Sequence, residues 1–278
     1  MSRQLRLQVP GALFHLTARG IRRDNIYRSD NDRLTWLSLL GEACERYNLE
    51  VLAYCQMTNH FHILLETMES DLARAMRLLN GIYAQYFNRQ YNLDGHVFQG
   101  RYKAILCQSE LYLLELARYI ELNPVRARIV AQPSDWLWSS YRATMGLCDA
   151  PKWLSSHAIL AHFGNDLHEA RKAYCEFVAS GIDRPNPLIN VSNQLVLGDE
   201  EFCASVAGNV PCGDIREIAR TQRRAVALPL QVYFQIYANP KEAMAHAYFS
   251  LAYTMPQIAS FAGVSVKTVS RAIQSHRA

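Results

Sequence analysis

The sequence predicts an α+β fold: a ferredoxin-like split βαβ antiparallel sheet, followed by a mostly helical C-terminal domain that carries a helix-turn-helix. Three observations predict it. Up to about residue 130, short apolar runs alternate with helix-period segments in the order strand, helix, strand, strand, helix, strand, helix. Beyond that point a Trp/Tyr-rich stretch (Trp136, Trp138, Tyr141, Trp153) leads into mostly helical patterns. Residues 255–273 then show two apolar-faced helical stretches joined at Gly263. The chain divides accordingly into 1–130, a helical extension and linker at 131–185, and a helical domain at 186–278, with its edge in the 181–192 stretch around Arg184-Pro185-Asn186-Pro187.

The elements follow in order. Residues 11–19, after Pro10, read as a strand, and Arg22 to Asn25 as a polar loop. Asn31 or Asp32 is placed to cap a helix running to about Tyr47. Residues 51–55 and 61–66 read as strands around a Thr58-Asn59 turn. From Asp71, Leu72, Met76, Leu79, Tyr83 and Phe87 recur at helical spacing until the Asn92–Gly95 loop. Residues 102–108 make a fourth strand, and Ser109 opens a helix that Asn123-Pro124 stops.

Composition narrows the class. Half of the 278 residues are apolar and 19% are charged, which suits a globular chain with a real core. The net charge of +4 is too small to imply nucleic acid by itself, but the arginines cluster. Seven cysteines, an odd number with no C-x-x-C pair, read as reduced thiols in apolar stretches and argue against structural zinc. No stretch is apolar enough for a membrane span, and the first residues lack a signal-peptide core, so a cytoplasmic protein with no membrane partner is expected.

Two constellations carry chemistry. His60-Phe61-His62 lies on a predicted strand, whose alternation points both imidazoles one way and Phe61 into the core. Two neutral imidazoles on one face suit a divalent cation, although histidines hydrogen-bonded beside a turn give the same pattern. Tyr119 and Asn123 stand four residues apart, one helical turn, in R-Y-I-E-L-N-P-V-R. The phenol is a nucleophile and the amide oxygen a ligand for Mg²⁺ or Mn²⁺, with Arg118, Arg126 and Arg128 near enough to hold phosphates. A core tyrosine under a helix that ends at Asn-Pro is the plainer alternative.

These residues resemble a known family. Q-M-T-N-H-F-H-I-L-L resembles the histidine–hydrophobe–histidine (HUH) motif of single-strand transposases. H-V-F-Q-G-R-Y-K at 96–103, R-Y-I-E-L-N-P-V-R-A at 118–127 and W-S-S-Y-R at 138–142 resemble the branch called REP-associated tyrosine transposases. That branch is bacterial and acts on extragenic palindromes that fold as DNA hairpins. The resemblance covers about residues 5–200. It implies an HUH catalytic domain at 1–130, metal ligation by His60 and His62, and attack by Tyr119 to leave a 5′-phosphotyrosine. Asn123 stands where relatives carry Gln as third ligand, and Thr58 where the family often has Pro. Tyr112, in the same helix, competes as nucleophile, but the family register favours Tyr119. Arg22 and Arg101 join Arg118 and Arg126 as DNA-contacting residues.

At the C-terminus, Val269, Ala272 and Ile273 are expected to face back onto the preceding helix, leaving Lys267, Thr268, Ser270 and Arg271 exposed. That suits a recognition helix, and equally an αα-hairpin that only closes the domain. Arg216, Arg220, Arg223 and Arg224 could add phosphate contacts or form a solvated face. The leading expectation is a metal-dependent enzyme that nicks and rejoins single-stranded DNA at a hairpin. A non-catalytic DNA-binding regulator and a hydrolytic nuclease using metal-bound water are the alternatives. The sequence leaves monomer and dimer both open.

Overall fold

The computed structural model describes residues 5, 7, 9–69, 71–206 and 220–277. The chain forms two compact units, Gln8–Asn190 and Val191–Ala278 with Met1–Leu7.

The first unit begins with β1 (Ala12–Arg19), α1 (Asp30–Tyr47), β2 (Leu49–Gln56), β3 (His60–Thr67), α2 (Leu72–Tyr91), β4 (Lys103–Cys107) and α3 (Ser109–Glu121). Its strands lie in the order β2-β3-β1-β4, every neighbour antiparallel, as the split βαβ plan requires. In the β1–β3 register Phe14, Leu16 and Ala18 stand opposite Leu65, Ile63 and Phe61. All six are buried on the face covered by α1 and α2, where Trp36 of α1 packs 4.7 Å from the Phe61 ring. Alternation sends His15, Thr17, Arg19, His60 and His62 to the other face. There α3 packs across β1, β2 and β3.

Local chemistry fixes the helix ends. Ser29, rather than Asn31 or Asp32, caps α1, and Asp32 closes a capping box from the third helical position. Asp32 is held there because its carboxylate also accepts from the Tyr86 and Tyr91 hydroxyls of α2. Asn48 and Asn92 end α1 and α2 in left-handed conformations, which asparagine tolerates. α3 stops at Glu121, and a separate turn, α4 (Asn123–Arg126), begins with Pro124 at its second position, where no N–H is needed.

The remainder of this unit, with the short helices α5 (Tyr141–Thr144) and α6 (Ser156–Leu160) and the longer α7 (Leu167–Ala179), wraps the outer edge of β2. Gln56 N–H donates to the Trp138 carbonyl at 2.8 Å, Ser140 N–H to Tyr54 at 2.9 Å and Ser155 N–H to Val51 at 2.8 Å. The Arg184–Pro187 stretch also belongs here rather than to the C-terminal unit, to which the sequence reading gave residue 186 onward. It folds back on α3 and α4: the Arg184 carbonyl accepts from Arg126 at 2.8 Å, and its guanidinium pairs with Glu115 at 3.6 Å.

The second unit holds β5 (Val196–Leu197), α8 (Glu200–Val206), α9 (Arg220–Arg223), α10 (Leu230–Ile236), α11 (Pro240–Phe249), α12 (Met255–Ala262) and α13 (Val266–Arg277). Ile258 and Ala259 of α12 and Val269, Ala272 and Ile273 of α13 share one core with Tyr233, Ala243, Met244 and Ala247 of α10 and α11. Gly263 joins the two last helices at φ 66°, a left-handed turn that a side chain would strain. Among the described residues no helix is long and apolar enough to cross a membrane. Cys44, Cys55 and Cys107 are buried as expected, but Cys148 and Cys175 are exposed: Cys148 follows the short helix α5, and Cys175 lies on the outer side of α7, next to the buried Tyr174. Cys212 lies outside the described residues.

One buried polar cluster ties α3 to the wrapping segment. The Glu121 carboxyl accepts from Ser140 Oγ and from the Tyr174 hydroxyl of α7, each at 2.6 Å. Burial raises its pKa from 4.5 to about 7, against the pull of those two donors. The folded chain therefore keeps a proton that the unfolded chain releases, so this group favours folding below pH 4.5 and loses that advantage as pH rises to about 7. Glu121→Gln should match the wild type near pH 4.5 and exceed its stability by about 3 kcal/mol at pH 8. Denaturant unfolding of both proteins across that range measures the difference, and a pH-independent gap would contradict it.

Candidate active site

Strand pairing assembles the site. Arg19 stands opposite His60 and Thr17 opposite His62, so His15 is the diagonal neighbour of His62. His15 Nε2 and His62 Nδ1 are 2.9 Å apart, and the two rings stack at 5.2 Å. His60 Nδ1 lies 2.7 Å from Asn59 Oδ1. Tyr119, in the last turn of α3, sets its ring edge-on to His62 at 6.0 Å and to His15 at 6.4 Å. Tyr112, two turns earlier, makes no such ring contact with the histidines.

Burial dictates the charge states. It lowers His15 to a pKa of about 4 and His62 well below its ordinary value. His60 falls to about 4 through burial and the nearby charge of Arg19. At neutral pH all three are bare imidazoles with lone pairs to offer. Burial raises the Tyr119 phenol, opposed by Arg126, by a hydrogen bond from the Asn186 side chain and by Arg19. The phenol thus stays protonated at rest, but two guanidiniums and an amide face the oxygen where negative charge would develop. Arg126 lies 5.6 Å over the Tyr119 ring.

Asn123 is held by the end of α3: its Nδ2 donates to the carbonyls of Tyr119 at 2.9 Å and Ile120 at 3.4 Å. His60 and His62 are thus brought together on one face, while the Asn123 amide is engaged with the end of its own helix.

The expected phosphate contacts divide. Arg126 is exposed beside Tyr119, and Arg22 and Arg101 are exposed. Arg118 is not available. It is only 2% exposed, pairs with Glu115, donates to the Phe177 carbonyl at 3.2 Å and lies 4.2 Å over the Phe177 ring. The reason is helical geometry: one residue before Tyr119 is a rotation of about 100° around α3, away from the sheet site and under α7. Arg223 and Arg224 likewise donate to the Leu251 and Ala252 carbonyls within the second unit. Arg216 and the side chain of Arg220 lie outside the described residues. On α13, Lys267 and Arg271 are exposed, Thr268 and Ser270 half-buried. Ser265 Oγ accepts the Thr268 N–H at 3.2 Å and so caps that helix.

Sequence reasoning missed His15, Arg19, Asn59 and Asn186. Asn59 has two roles, since its Nδ2 donates to the Arg23 carbonyl at 2.8 Å. It thereby pins a loop in which Arg22 and Arg23 both adopt left-handed backbone, at φ 54° and 68°. Such conformations cost roughly 1–3 kcal/mol each and persist where the surroundings impose them. Gly20 is required at the loop's start, since a Cβ there would collide with the Asp24 carbonyl.

The burial of Arg118 has a measurable consequence. Arg118→Ala should cost roughly 2–4 kcal/mol in denaturant unfolding, because it strips a buried hydrogen-bonded charge and its packing.

Comparison with known proteins finds similarity chiefly over the first unit. Residues 8–123 match the family described as IS200-like transposase, a segment that runs from the start of the first unit through Asn123. A Haemophilus influenzae protein provisionally named a REP-associated tyrosine transposase is 28% identical over 115 residues, which span 37% of this chain and 65% of that protein. A solved structure of a REP-associated tyrosine transposase bound to a REP hairpin is 18% identical and covers 56% of this chain and 92% of that one, with a TM-score of 0.45. Residues 8–123 are thus similar to the IS200-like transposases, and the chain resembles the REP-associated tyrosine transposases.

Proposed function

We propose that this protein is a metal-dependent, single-tyrosine endonuclease and strand transferase that acts on single-stranded DNA beside a hairpin. The observation that carries the reading is the meeting of His60, His62 and Tyr119 on one sheet face, with the phenol ring 6.0 Å from the His62 ring. Two imidazoles held neutral by burial, His60 and His62, suit a divalent cation, Mg²⁺ or Mn²⁺, and the Asn123 amide oxygen would add a third donor. When bound, that ion supplies Lewis-acid polarisation of a phosphodiester oxygen.

The chain's own residues do the rest. The Tyr119 oxygen bonds to phosphorus as its proton leaves to solvent, and Arg19, Arg126 and Asn186 face the developing charge. The bond from phosphorus to the 3′-oxygen breaks, and that oxygen departs as a hydroxyl. A 5′-phosphotyrosine remains. One phosphodiester has replaced another, so attack by a different 3′-hydroxyl reverses the step and rejoins strands. Unpaired substrate is expected, because base-specific handling of the nick site needs exposed bases.

Suicide oligonucleotides with a hairpin and a single-stranded flank test the chemistry. The wild type should become covalently attached, Tyr119→Phe should not, and His60→Ala or His62→Ala should lose cleavage while hairpin affinity stays within a few-fold. Cleavage retained by Tyr119→Phe would make the enzyme a water-using nuclease, and no adduct from any protein would make it a DNA-binding regulator.

We further propose that α12 and α13 form a helix-turn-helix in which the exposed Lys267 and Arg271, with the half-buried Thr268 and Ser270, read the hairpin stem. Because both helices complete the core of their unit, truncation at residue 250 would unfold it, so point substitutions are the sound test. Arg271→Ala should cost about 1–3 kcal/mol of hairpin affinity if it grips a base edge. The hairpin-to-strand affinity ratio at one salt concentration should fall for Arg271→Ala and Lys267→Ala. An unchanged ratio would leave these helices a structural role only.

A further inference from the structure

We infer that His15 is a positioning residue for His62: it accepts the Nδ1–H of His62 and so keeps the Nε2 lone pair of His62 free for the cation. This rests on the reading of His60 and His62 as metal ligands.

The argument begins at His60, where the network leaves no choice. Asn59 donates through Nδ2 to the Arg23 carbonyl at 2.8 Å, which can only accept, so its amide oxygen is the atom at 2.7 Å from His60 Nδ1. An amide oxygen cannot donate. His60 must therefore carry its proton on Nδ1, and its Nε2 is bare.

His62 meets the same requirement with a different partner. Its Nδ1 is 2.9 Å from His15 Nε2, and both side chains are buried. Each neutral imidazole has one N–H, so one ring donates to the other. If His15 donated, the His62 proton would sit on Nε2 and close that nitrogen to any cation. If His62 donates, both ligands present Nε2 in the same way, each steadied at Nδ1 by a protein acceptor, half-buried Asn59 for His60 and buried His15 for His62. Donation by His62 puts the His15 proton on Nδ1, a buried nitrogen that meets no partner, so this arrangement carries the cost of one unpaired N–H and is favoured only where a cation takes the His62 Nε2. Nor is His15 itself a third ligand: its Nε2 is taken by His62, and among the described residues no three His, Cys, Asp or Glu side chains converge as a metal-binding group.

The test uses the full chain. In wild type with Mg²⁺ added, long-range ¹⁵N–¹H correlation of the histidine rings at neutral pH should place the protons of His60 and His62 on Nδ1. A His62 proton on Nε2 overturns the inference. Mn²⁺ alone is then titrated by calorimetry into wild type, His62→Ala, His15→Phe and His15→Gln, each checked for native unfolding temperature. His15→Phe should bind roughly 10–100-fold more weakly than wild type. His15→Gln, whose Oε1 can accept the same N–H, should stay within a few-fold of wild type. Equal affinity in His15→Phe, or His15→Gln as weak as His15→Phe with both folded, overturns the inference. Wild type binding no better than His62→Ala would instead remove the metal reading, while the proton positions still decide how His15 and His62 are joined. If His15→Phe does not fold, the glutamine variant and the ring spectra decide.

Discussion

The antiparallel pairing of β1 with β3 sets Arg19 against His60 and Thr17 against His62, and the rest of the site is built on that register. Side chains in a strand alternate with a period of two, so a slip of one residue would send His15 and Arg19 into the core and bring Phe14 and Leu16 out. The buried opposite face forbids the slip, because Phe14, Leu16, Phe61, Ile63 and Leu65 fit α1 and α2 only in the observed pairing. The apolar layer on one side thus fixes the polar constellation on the other. α3 then needs only to cross the free face for Tyr119 to reach the imidazoles.

Much of this was legible in the sequence because it is local. The strand and helix order follows from apolar period, and the common face of His60 and His62 from alternation alone. The last turn of α3 follows from a helical pattern that ends at Asn-Pro. What was not legible depends on pairing between distant segments. Nothing in F-H-L-T-A-R says that His15 will sit diagonal to His62 or that Arg19 will face His60. Asn186 lies in a stretch that composition marks as a linker, yet the packing of Arg184 on α3 and α4 brings it to the tyrosine oxygen. Arg118 misled for the opposite reason. Adjacency in sequence suggested adjacency in space, and on a helix neighbouring residues point to different sides.

The electrostatics separate two tasks. Burial strips charge from the imidazoles and leaves them with free lone pairs, so the positive charge at the site comes from Arg19 and Arg126. A phosphate at this site would therefore be met by guanidiniums whose charge does not vary with pH, beside histidines that stay neutral well below physiological pH. Asn59 joins this centre to the left-handed Arg22–Arg23 loop through one amide. The loop backbone and the His60 ring thus meet through the same side chain.

The wrapping of β2 bears on how copies of the chain can meet. A strand at the rim of a sheet ordinarily offers a row of free backbone donors and acceptors, on which another chain can lie down as an extra strand. Here Trp138, Ser140 and Ser155 already occupy that row at Gln56, Tyr54 and Val51. Self-association by continuing the sheet past β2, and the ordered aggregation that such templating seeds, are closed by the chain's own backbone at the stretch where the strand is most apolar.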